Sequence, residues 1–410
     1  MSFIPFILLS TFIFAGIILV LTFLLSVVED KVTPKGDCRI SINNNDDPLV
    51  VPTGKTLLKT LLDKEIYLPS ACGGKGTCAL CKCQVLEGGG EILPTEESFL
   101  SRKEKRDHYR LACQIKVKND IKISIPQEIF NIKKYECRVV SNQNVASFIK
   151  ELVLELPSGS DQQFEFQPGA YIQIHAPEYR INFKNFIIDD PYKTDWDKYN
   201  LENLTAENDE EVFRGYSLAN YPAEKSNLKL NVRIATPPDP KMSLPPGLCS
   251  SYIFNLKPGD KVTTSGPFGD FFIKDTNREM MYIGGGAGMA PLRSHIFHLF
   301  KISKTQRKVN FWYGARSQRE IFYENEFQEL AAQFDNFNFQ VALSEPLPED
   351  EWKGHTGFIH KTVFENYLKN HEEPEEIEYY LCGPPLMIEA VQQMLDSLGV
   401  PPEMILFDAF

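Results

Sequence analysis

The sequence predicts a multi-domain protein with an N-terminal transmembrane helix, a β-rich domain with clustered cysteines, an antiparallel β domain and a C-terminal α/β domain. Three observations predict this order. The chain has 410 residues, more than one compact core usually contains. Residues 1–28 carry no charged side chain. Strand patterns separated by Pro and Gly continue to about residue 275, after which strand and helix patterns alternate.

The composition excludes several classes of protein. Hydrophobic residues make up 43% and charged residues 24%, which is ordinary globular usage. The 43 basic and 55 acidic residues give a net charge of −12, which argues against a nucleic-acid partner because such partners need a basic surface. There are nine cysteines, an odd number, and four lie between residues 72 and 83, which indicates a metal site rather than a disulfide framework.

Residues 1–28 predict a single-span membrane anchor. The stretch from Phe3 to Val28 is almost wholly apolar and exceeds the roughly 20 residues that a helix needs to span a bilayer. A signal peptide would have a basic start, a shorter apolar run and a small-residue cleavage site, and none is evident. Lys31, Lys35 and Arg39 follow the span and no basic residue precedes it, so the remainder of the chain is expected in the cytoplasm.

The remainder divides into three predicted domains, at 35–128, 131–275 and 276–410. The middle domain contains a polar stretch at 178–212, with ten acidic and four basic residues, which is expected to be an inserted loop. The last domain is expected to contain a parallel sheet with helices on both faces. The main strand patterns lie at Cys38–Ile42, Lys82–Leu86, Lys116–Ile125, Glu151–Leu156, Ala170–His175, Leu228–Ile234, Lys261–Thr264, Met280–Ile283, Val309–Tyr313, Phe337–Leu343 and Glu378–Leu381.

Four cysteines have the spacing of an iron–sulfur site. Cys72, Cys78 and Cys81 form C-x5-C-x2-C, and Cys113 follows after 31 intervening residues. The plant-type 2Fe–2S pattern is C-x4-C-x2-C with a distant fourth cysteine, so this loop is one residue longer. Three glycines between the first two cysteines would let backbone amides turn toward the sulfurs. The alternatives are a buried apolar cysteine cluster and a structural zinc site, which usually has two C-x2–4-C pairs.

The middle domain carries a motif whose chemistry suits a flavin. In Arg214-Gly-Tyr216-Ser217, the arginine offers a planar fork for a pyrophosphate, the tyrosine a stacking face and the serine a hydrogen bond near the reactive ring. A polar strand without such a role is the alternative. Gly247 and Ser250 open a helical turn that could bind an anion, and Arg233 ends the strand before it.

The last domain contains two candidate nucleotide-binding turns. An apolar strand runs into a glycine-rich turn and a helix, as phosphate binding requires, although the turn is not a strict G-x-G-x-x-G. A second strand ends in Cys-Gly-Pro-Pro, at the edge where ligands bind in open parallel sheets. Cys382 is either an ordinary small residue or part of the nicotinamide site. The residues concerned are Gly284, Gly285, Gly286, Gly288, Cys382, Gly383 and Pro384.

Taken in order, these motifs resemble the ferredoxin–NADP reductase superfamily joined to a β-grasp ferredoxin. The anchor, the N-terminal position of the ferredoxin and the acidic stretch narrow the resemblance to the F-subunit family of the sodium-translocating NADH:quinone oxidoreductase, Na+-NQR. The resemblance covers essentially the whole chain. It is carried by the runs RGYSLANYP, NVRIATPP, PPGLCSSYIF and YLCGPP.

The resemblance implies cofactors and roles. The β-grasp domain would hold a 2Fe–2S cluster on the four cysteines. A six-stranded antiparallel β-barrel would hold FAD through the Arg214 motif, with Gly247 and Ser250 at the pyrophosphate. The α/β nucleotide-binding domain would receive NADH. Ser217 and Cys382 are expected at the reacting atoms, and Phe410, the last residue, is expected to cover the flavin.

The implied function is electron input to a sodium-pumping quinone reductase. Hydride from NADH would pass to FAD, and single electrons would pass through the cluster to other membrane subunits, which reduce quinone and move sodium. The resemblance implies a single-pass protein of the bacterial inner membrane, in contact with the lipid bilayer, with its soluble domains in the cytoplasm. The alternatives are the NADH-dependent reductase component of an oxygenase and a membrane-anchored electron carrier. Arg316 and Arg319 leave the choice between NADH and NADPH open.

Overall fold

The computed structural model describes residues 4–32, 36–43, 45, 47–160, 164–225, 227–237 and 244–409. Within residues 4–32, the side chains are described at residue 9 and over 11–24. The chain forms two compact units, which meet between Asn131 and Ile132 in the sequence.

The first helix, α1 (Ile4–Val32), has 29 residues. Several of its described side chains are large, apolar and exposed, with Phe12 76% and Phe23 69% exposed. Among the residues that the structure describes, no helix has both the length and the apolar character needed to cross a membrane.

The rest of the first unit is a mixed sheet with three short helices. Its strands are β1 (Asp37–Ile42), β2 (Leu49–Pro52), β3 (Lys82–Glu87), β4 (Tyr109–Leu111) and β5 (Ile121–Ser124). Its helices are α2 (Leu57–Leu62), α3 (Pro94–Glu97) and α4 (Arg102–Arg106). The strand order is β2-β1-β5-β3-β4, with β1 and β5 parallel and the other neighbours antiparallel. Thr56 caps α2 by accepting from the Lys59 amide, and the leucines at the start of α2 are buried.

One predicted strand in this unit is shorter than expected. The pattern at Lys116–Ile125 becomes a strand only from Ile121. The residues before it bond elsewhere, since the Val117 amide donates to the Lys55 carbonyl and the Gly54 amide donates to the Val117 carbonyl. The apolar alternation there reflects packing against the loop before α2 rather than pairing in the sheet.

The second unit begins with a six-stranded antiparallel sheet. The first eight strands of this unit are β6 (Lys133–Ala146), β7 (Ile149–Glu155), β8 (Tyr171–Ala176), β9 (Tyr179–Asn182), β10 (Thr205–Asn208), β11 (Val212–Ser217), β12 (Asn227–Arg233) and β13 (Lys261–Phe268). Six of them form the sheet, and β9 and β10 form a separate pair. Two helices accompany them, α5 (Asp190–Lys198) and α6 (Leu248–Asn255). The sheet order is β11-β8-β13-β6-β7-β12. An antiparallel bridge between Leu218 and Leu230 brings the two edge strands together.

The acidic stretch at 178–212 is not the irregular loop that its composition predicts. It contains an antiparallel pair, β9 with β10, and the helix α5. Trp196 of α5 is buried, and its ring lies 6.0 Å from that of Phe186 and 5.9 Å from that of Phe254. The indole nitrogen of Trp196 donates to the Ser147 carbonyl at 2.6 Å. A few aromatic residues therefore anchor this acidic segment in the hydrophobic core of the sheet domain.

The C-terminal part is a parallel sheet between two layers of helices, as the alternating patterns predict. Its strands are β14 (Met280–Gly285), β15 (Val309–Ala315), β16 (Phe337–Leu343), β17 (His355–Thr356), β18 (Glu378–Gly383) and β19 (Ile405–Ala409). Its helices are α7 (Met289–Phe297), α8 (Glu324–Gln333), α9 (Ile359–Asn366) and α10 (Pro385–Ser397). The order is β17-β16-β15-β14-β18-β19, all parallel. The order reverses between β14 and β18, which opens a crevice at their carboxyl ends.

Candidate functional site

The four predicted cluster cysteines form two pairs of thiols. The Sγ atoms of Cys72 and Cys78 are 3.3 Å apart, and the thiols of Cys81 and Cys113 hydrogen-bond to each other. All four are free of disulfides. In the described part of the chain, no group of three or more histidine, cysteine or acidic side chains could hold a metal ion. The four thiols thus lie in two close pairs, Cys72 with Cys78 and Cys81 with Cys113.

Backbone amides of the cluster loop point at the sulfurs. The amides of Thr77 and Cys78 bond to Cys72, and the amide of Gly76 bonds to Cys113. Gly76 has a φ of 76°, and a Cβ there would lie 2.6 Å from the side-chain nitrogen of the residue after Cys113. The loop can take this shape because a glycine occupies the position.

Hydrogen bonding lowers the pKa of one thiol in each pair. Cys78 lowers the pKa of Cys72 and Cys81 lowers that of Cys113, in both cases against the opposing effect of burial. Metals bind the thiolate form, so amides and neighbouring thiols that favour the thiolate suit a metal ligand. Two thiols for each of two irons match a 2Fe–2S cluster bound by four cysteines, whereas a structural zinc needs four ligands around one ion.

A buried ion pair, which sequence reasoning missed, joins the strand before Cys113 to α3. Arg110 of β4 and Glu96 of α3 are nearly inaccessible, and Nη2 lies 2.6 Å from Oε2. The carboxylate also accepts from the amide of Leu111 at 2.9 Å. Arginine can bond a carboxylate through two nitrogens, which fixes the relative position of the two elements. The only sequence signal was an acidic residue followed 14 positions later by a basic one.

The flavin motif lies on β11, against the first turn of α6. The Arg214 guanidinium donates to the Phe213 carbonyl at 2.6 Å and has no ion-pair partner among the described carboxylates. The Sγ of Cys249, in the first turn of α6, is 3.9 Å from the Val212 carbonyl. Burial raises the pKa of Tyr216 well above its ordinary value. A guanidinium without a carboxylate partner, on a strand that contacts the first turn of a helix, is a donor set that fits a pyrophosphate, so these residues fit FAD.

Ser250 shapes the turn before α6. Its hydroxyl accepts from the Ala235 amide at 3.2 Å and donates to the Gly247 carbonyl at 3.1 Å. The Gly247 amide in turn donates to the Ala235 carbonyl at 2.8 Å. These bonds join the start of α6 to the chain that follows β12, where Arg233 is exposed at the strand end.

The structure brings the two predicted nucleotide turns together. β14 ends in the glycine-rich turn and pairs with β18, placing Gly284 beside Cys382. A Cβ on Gly288 would lie 2.0 Å from the carbonyl oxygen of Cys382. A Cβ on Gly285 would lie 3.7 Å from Pro384. Any side chain at Gly288 would therefore clash with the backbone of β18, so the close approach explains the glycine.

The flavin motif and the second nucleotide turn converge on Asp408, which sequence reasoning also missed. The Ser217 hydroxyl donates to Oδ2 of Asp408 at 3.1 Å. Asp408 lies in β19, directly opposite Cys382 in the parallel pairing with β18. Burial raises the pKa of Asp408 to about 6, with Asp270 adding to the effect. Burial also raises the pKa of Cys382 well above its ordinary value, so this thiol is neutral.

One predicted site residue cannot be placed. Phe410, expected to cover the flavin, lies outside the described residues. The residues just before it form β19, so the chain reaches the flavin motif at Asp408 two positions earlier.

Three family models match separate parts of the chain. A 2Fe–2S iron–sulfur cluster binding domain matches residues 40–118, an oxidoreductase FAD-binding domain residues 200–273 and an oxidoreductase NAD-binding domain residues 282–393. The chain therefore contains the domains for a 2Fe–2S cluster, FAD and NAD.

Solved structures show the same fold. A cytochrome P450 reductase from Amycolatopsis is 23% identical to this chain and superimposes with a TM-score of 0.61. The match covers 91% of this chain and 98% of the reductase. The ferredoxin reductase in carbazole 1,9a-dioxygenase is 26% identical, with coverage of 92% and 98% and a TM-score of 0.58.

Curated relatives are far more similar. The F subunit of the Na(+)-translocating NADH-quinone reductase of Actinobacillus pleuropneumoniae is 54% identical over 97% of both chains. The protein of the same name from Neisseria meningitidis is 53% identical over 98% of this chain and 99% of its own. The chain belongs to the F-subunit family of the Na(+)-translocating NADH-quinone reductase.

Proposed function

We propose that this chain is the electron-input component of a sodium-translocating NADH:quinone oxidoreductase. It takes a hydride from NADH at the Asp408 centre and delivers single electrons through the cluster to membrane partners. The observation that carries this proposal is the convergence of Ser217 and Cys382 on Asp408. Residues of the flavin motif and of the nucleotide turn meet there, so the hydride donor and acceptor share one site.

The residues of the second unit have distinct tasks in this reaction. When bound, FAD exchanges two electrons with NADH and one at a time with an iron–sulfur cluster. Arg214, Arg233 and the start of α6 would hold its pyrophosphate, and Tyr216 would offer its ring for stacking. Ser217 would lie beside the reacting ring, where Asp408 orients its hydroxyl by accepting its hydrogen bond. Gly288 lets the dinucleotide approach Cys382, where the neutral thiol excludes water.

The remaining assignments follow the same plan. The domains extend over 35–128, 131–275 and 276–410, and the six-stranded sheet forms the FAD barrel. The four cysteines bind the cluster. The exposed apolar side chains of α1 support residues 1–28 as a single-pass anchor in the bacterial inner membrane. The soluble domains then lie in the cytoplasm, beside the other membrane subunits and the lipid bilayer.

An oxygenase reductase component is the competing function. The solved structures in that class share the fold at 23% and 26% identity, whereas the F-subunit relative from Actinobacillus pleuropneumoniae shares 54% over 97% of the chain. The higher identity over the whole length favours the quinone reductase.

The test is anaerobic addition of NADH to the purified full chain. The flavin absorbance should bleach, and the 2Fe–2S electron paramagnetic resonance signal should then appear. Purification from the native membrane should recover other membrane subunits with the chain. Bleaching of flavin without reduction of the cluster, or recovery of a soluble oxygenase instead, would contradict the proposal.

A further inference from the structure

The loop after β15 lies where the adenosine half of a dinucleotide is expected. In doubly wound sheets the dinucleotide crosses the carboxyl ends of the strands, and the ribose 2′ group meets residues beyond the glycine turn. β15 is the neighbour of β14, which carries that turn. The amide of Glu345 donates to the Arg316 carbonyl at 2.7 Å, which joins the loop after β16 to the loop after β15. We call the surface formed by these two loops the rim.

The two arginines on this rim already have carboxylate partners. Arg316 lies 3.6 Å from Glu320. Arg319 lies 3.1 Å from Glu349 through Nη2 and 3.6 Å from Asp195 through Nη1. Asp350 adds a further carboxylate, which accepts from the Gln318 amide at 3.1 Å and the Leu347 amide at 2.9 Å. The rim therefore carries more negative than positive charge.

The acidic stretch at 178–212, an insertion in the middle domain, supplies one of these carboxylates. Asp195 lies on α5, one residue before the buried Trp196. Ser147 holds the carboxylate, because its hydroxyl donates to Oδ2 of Asp195 at 2.6 Å. The carbonyl of the same serine accepts from the Trp196 indole. The core of the insertion thus fixes Asp195 against an arginine of the nucleotide-binding domain.

We infer that Asp195 and Glu349 occupy Arg319 and so prevent it from binding a 2′-phosphate, which makes the site select NADH over NADPH. The inference rests on the proposed function. A phosphate brings nearly two negative charges to an acidic rim. An arginine with carboxylates on two of its nitrogens has no free fork for bidentate phosphate binding. The 2′-hydroxyl of NADH brings no charge and meets no such barrier.

The test uses the purified full chain with both cofactors and the double variant Asp195→Asn/Glu349→Gln. Calorimetry compares adenosine 2′,5′-bisphosphate with 5′-AMP, and steady-state kinetics compare NADPH with NADH. In the double variant, affinity for the bisphosphate relative to 5′-AMP should rise about tenfold, as expected for two freed ion-pair contacts. The kcat/KM ratio of NADPH to NADH should rise with it. In the parent, selectivity should weaken at high ionic strength.

The matched control is Asp197→Asn, which removes one charge from the same helix without contacting Arg319. It should leave selectivity unchanged, and adding Arg319→Ala to the double variant should cancel the gain. An unchanged bisphosphate-to-AMP ratio in the double variant, or an equal gain in Asp197→Asn, would overturn the inference. If the double variant does not fold, Glu349→Gln alone carries the same test with a smaller gain. A parent chain that NADH cannot reduce would instead overturn the proposed function.

Discussion

Replacing Glu96 with glutamine should destabilise the cluster domain far more than replacing an exposed glutamate. Glu96 is fully buried, and its carboxylate bonds to Arg110 through both oxygens and to two backbone amides. The variant leaves the guanidinium buried without its counter-charge, which costs about 3–5 kcal/mol. The Arg110 strand leads directly to Cys113, which we propose as a cluster ligand, so the cluster should be lost as the domain opens.

The assay is urea titration of the full chain, followed by the visible absorbance of the cluster. With an m value of about 1.5 kcal/mol/M, the loss should move the midpoint down by roughly 2–3 M. The control is Glu104→Gln. Glu104 lies 2.7 Å from Lys82, but the side chains of both residues are more than a quarter exposed. That variant should cost about 1 kcal/mol or less. Equal midpoints for the two variants would refute the reasoning, because burial of Arg110 would then carry no penalty.

Four further predictions address the cofactor sites and the anchor. Cys113→Ala should abolish the 2Fe–2S electron paramagnetic resonance signal while FAD remains bound, and an unchanged signal would remove Cys113 from the ligand set. Arg214→Leu should weaken FAD binding by about 1.5–3 kcal/mol in flavin-release titrations, the worth of a charge-assisted bond. Because burial raises the pKa of Asp408 to about 6, its ionisation opposes folding, and the free energy of unfolding should fall as pH rises from about 4 to about 6. Asp408→Asn should remove that fall, of which about 1.4 kcal/mol lies between urea titrations at pH 5 and 7.5, and an unchanged pH dependence would mean that another group causes it. Deleting residues 1–28 should preserve NADH oxidation with a soluble acceptor but abolish quinone reduction in membranes lacking this protein, because the cluster is no longer held beside its acceptor.

The sequence was most informative where function depends on residues close together in the chain. The cluster spacing, the Arg214 motif and the glycine-rich turn are local patterns, and each follows from the chemistry of a loop that must wrap a cluster or cradle a phosphate. The alternation of strands and helices after residue 278 likewise predicts a parallel sheet, because it is a pattern of consecutive elements in the sequence. These features could be read without knowing which elements are neighbours.

The acidic insertion shows where composition misleads. Its net charge of −6 predicts a solvated loop, yet Trp196 and the phenylalanines around it pack into the core of the sheet domain. A few aromatic side chains can order a segment because each buries a large apolar area. Their partners include Phe254, which lies far away in the sequence. No local sequence pattern therefore predicts this packing.

The sequence by itself determined the cofactor motifs and the order of domains, and the tertiary structure alone decided which distant residues complete each site. Asp408 follows Ser217 by 191 residues and meets it only because β19 pairs with β18 beside the flavin strand. Arg319 meets Asp195 only because the insertion folds against the loop after β15. A lone carboxylate has no pattern of its own, and its pKa and partner depend on burial and sheet register, which are properties of the folded chain.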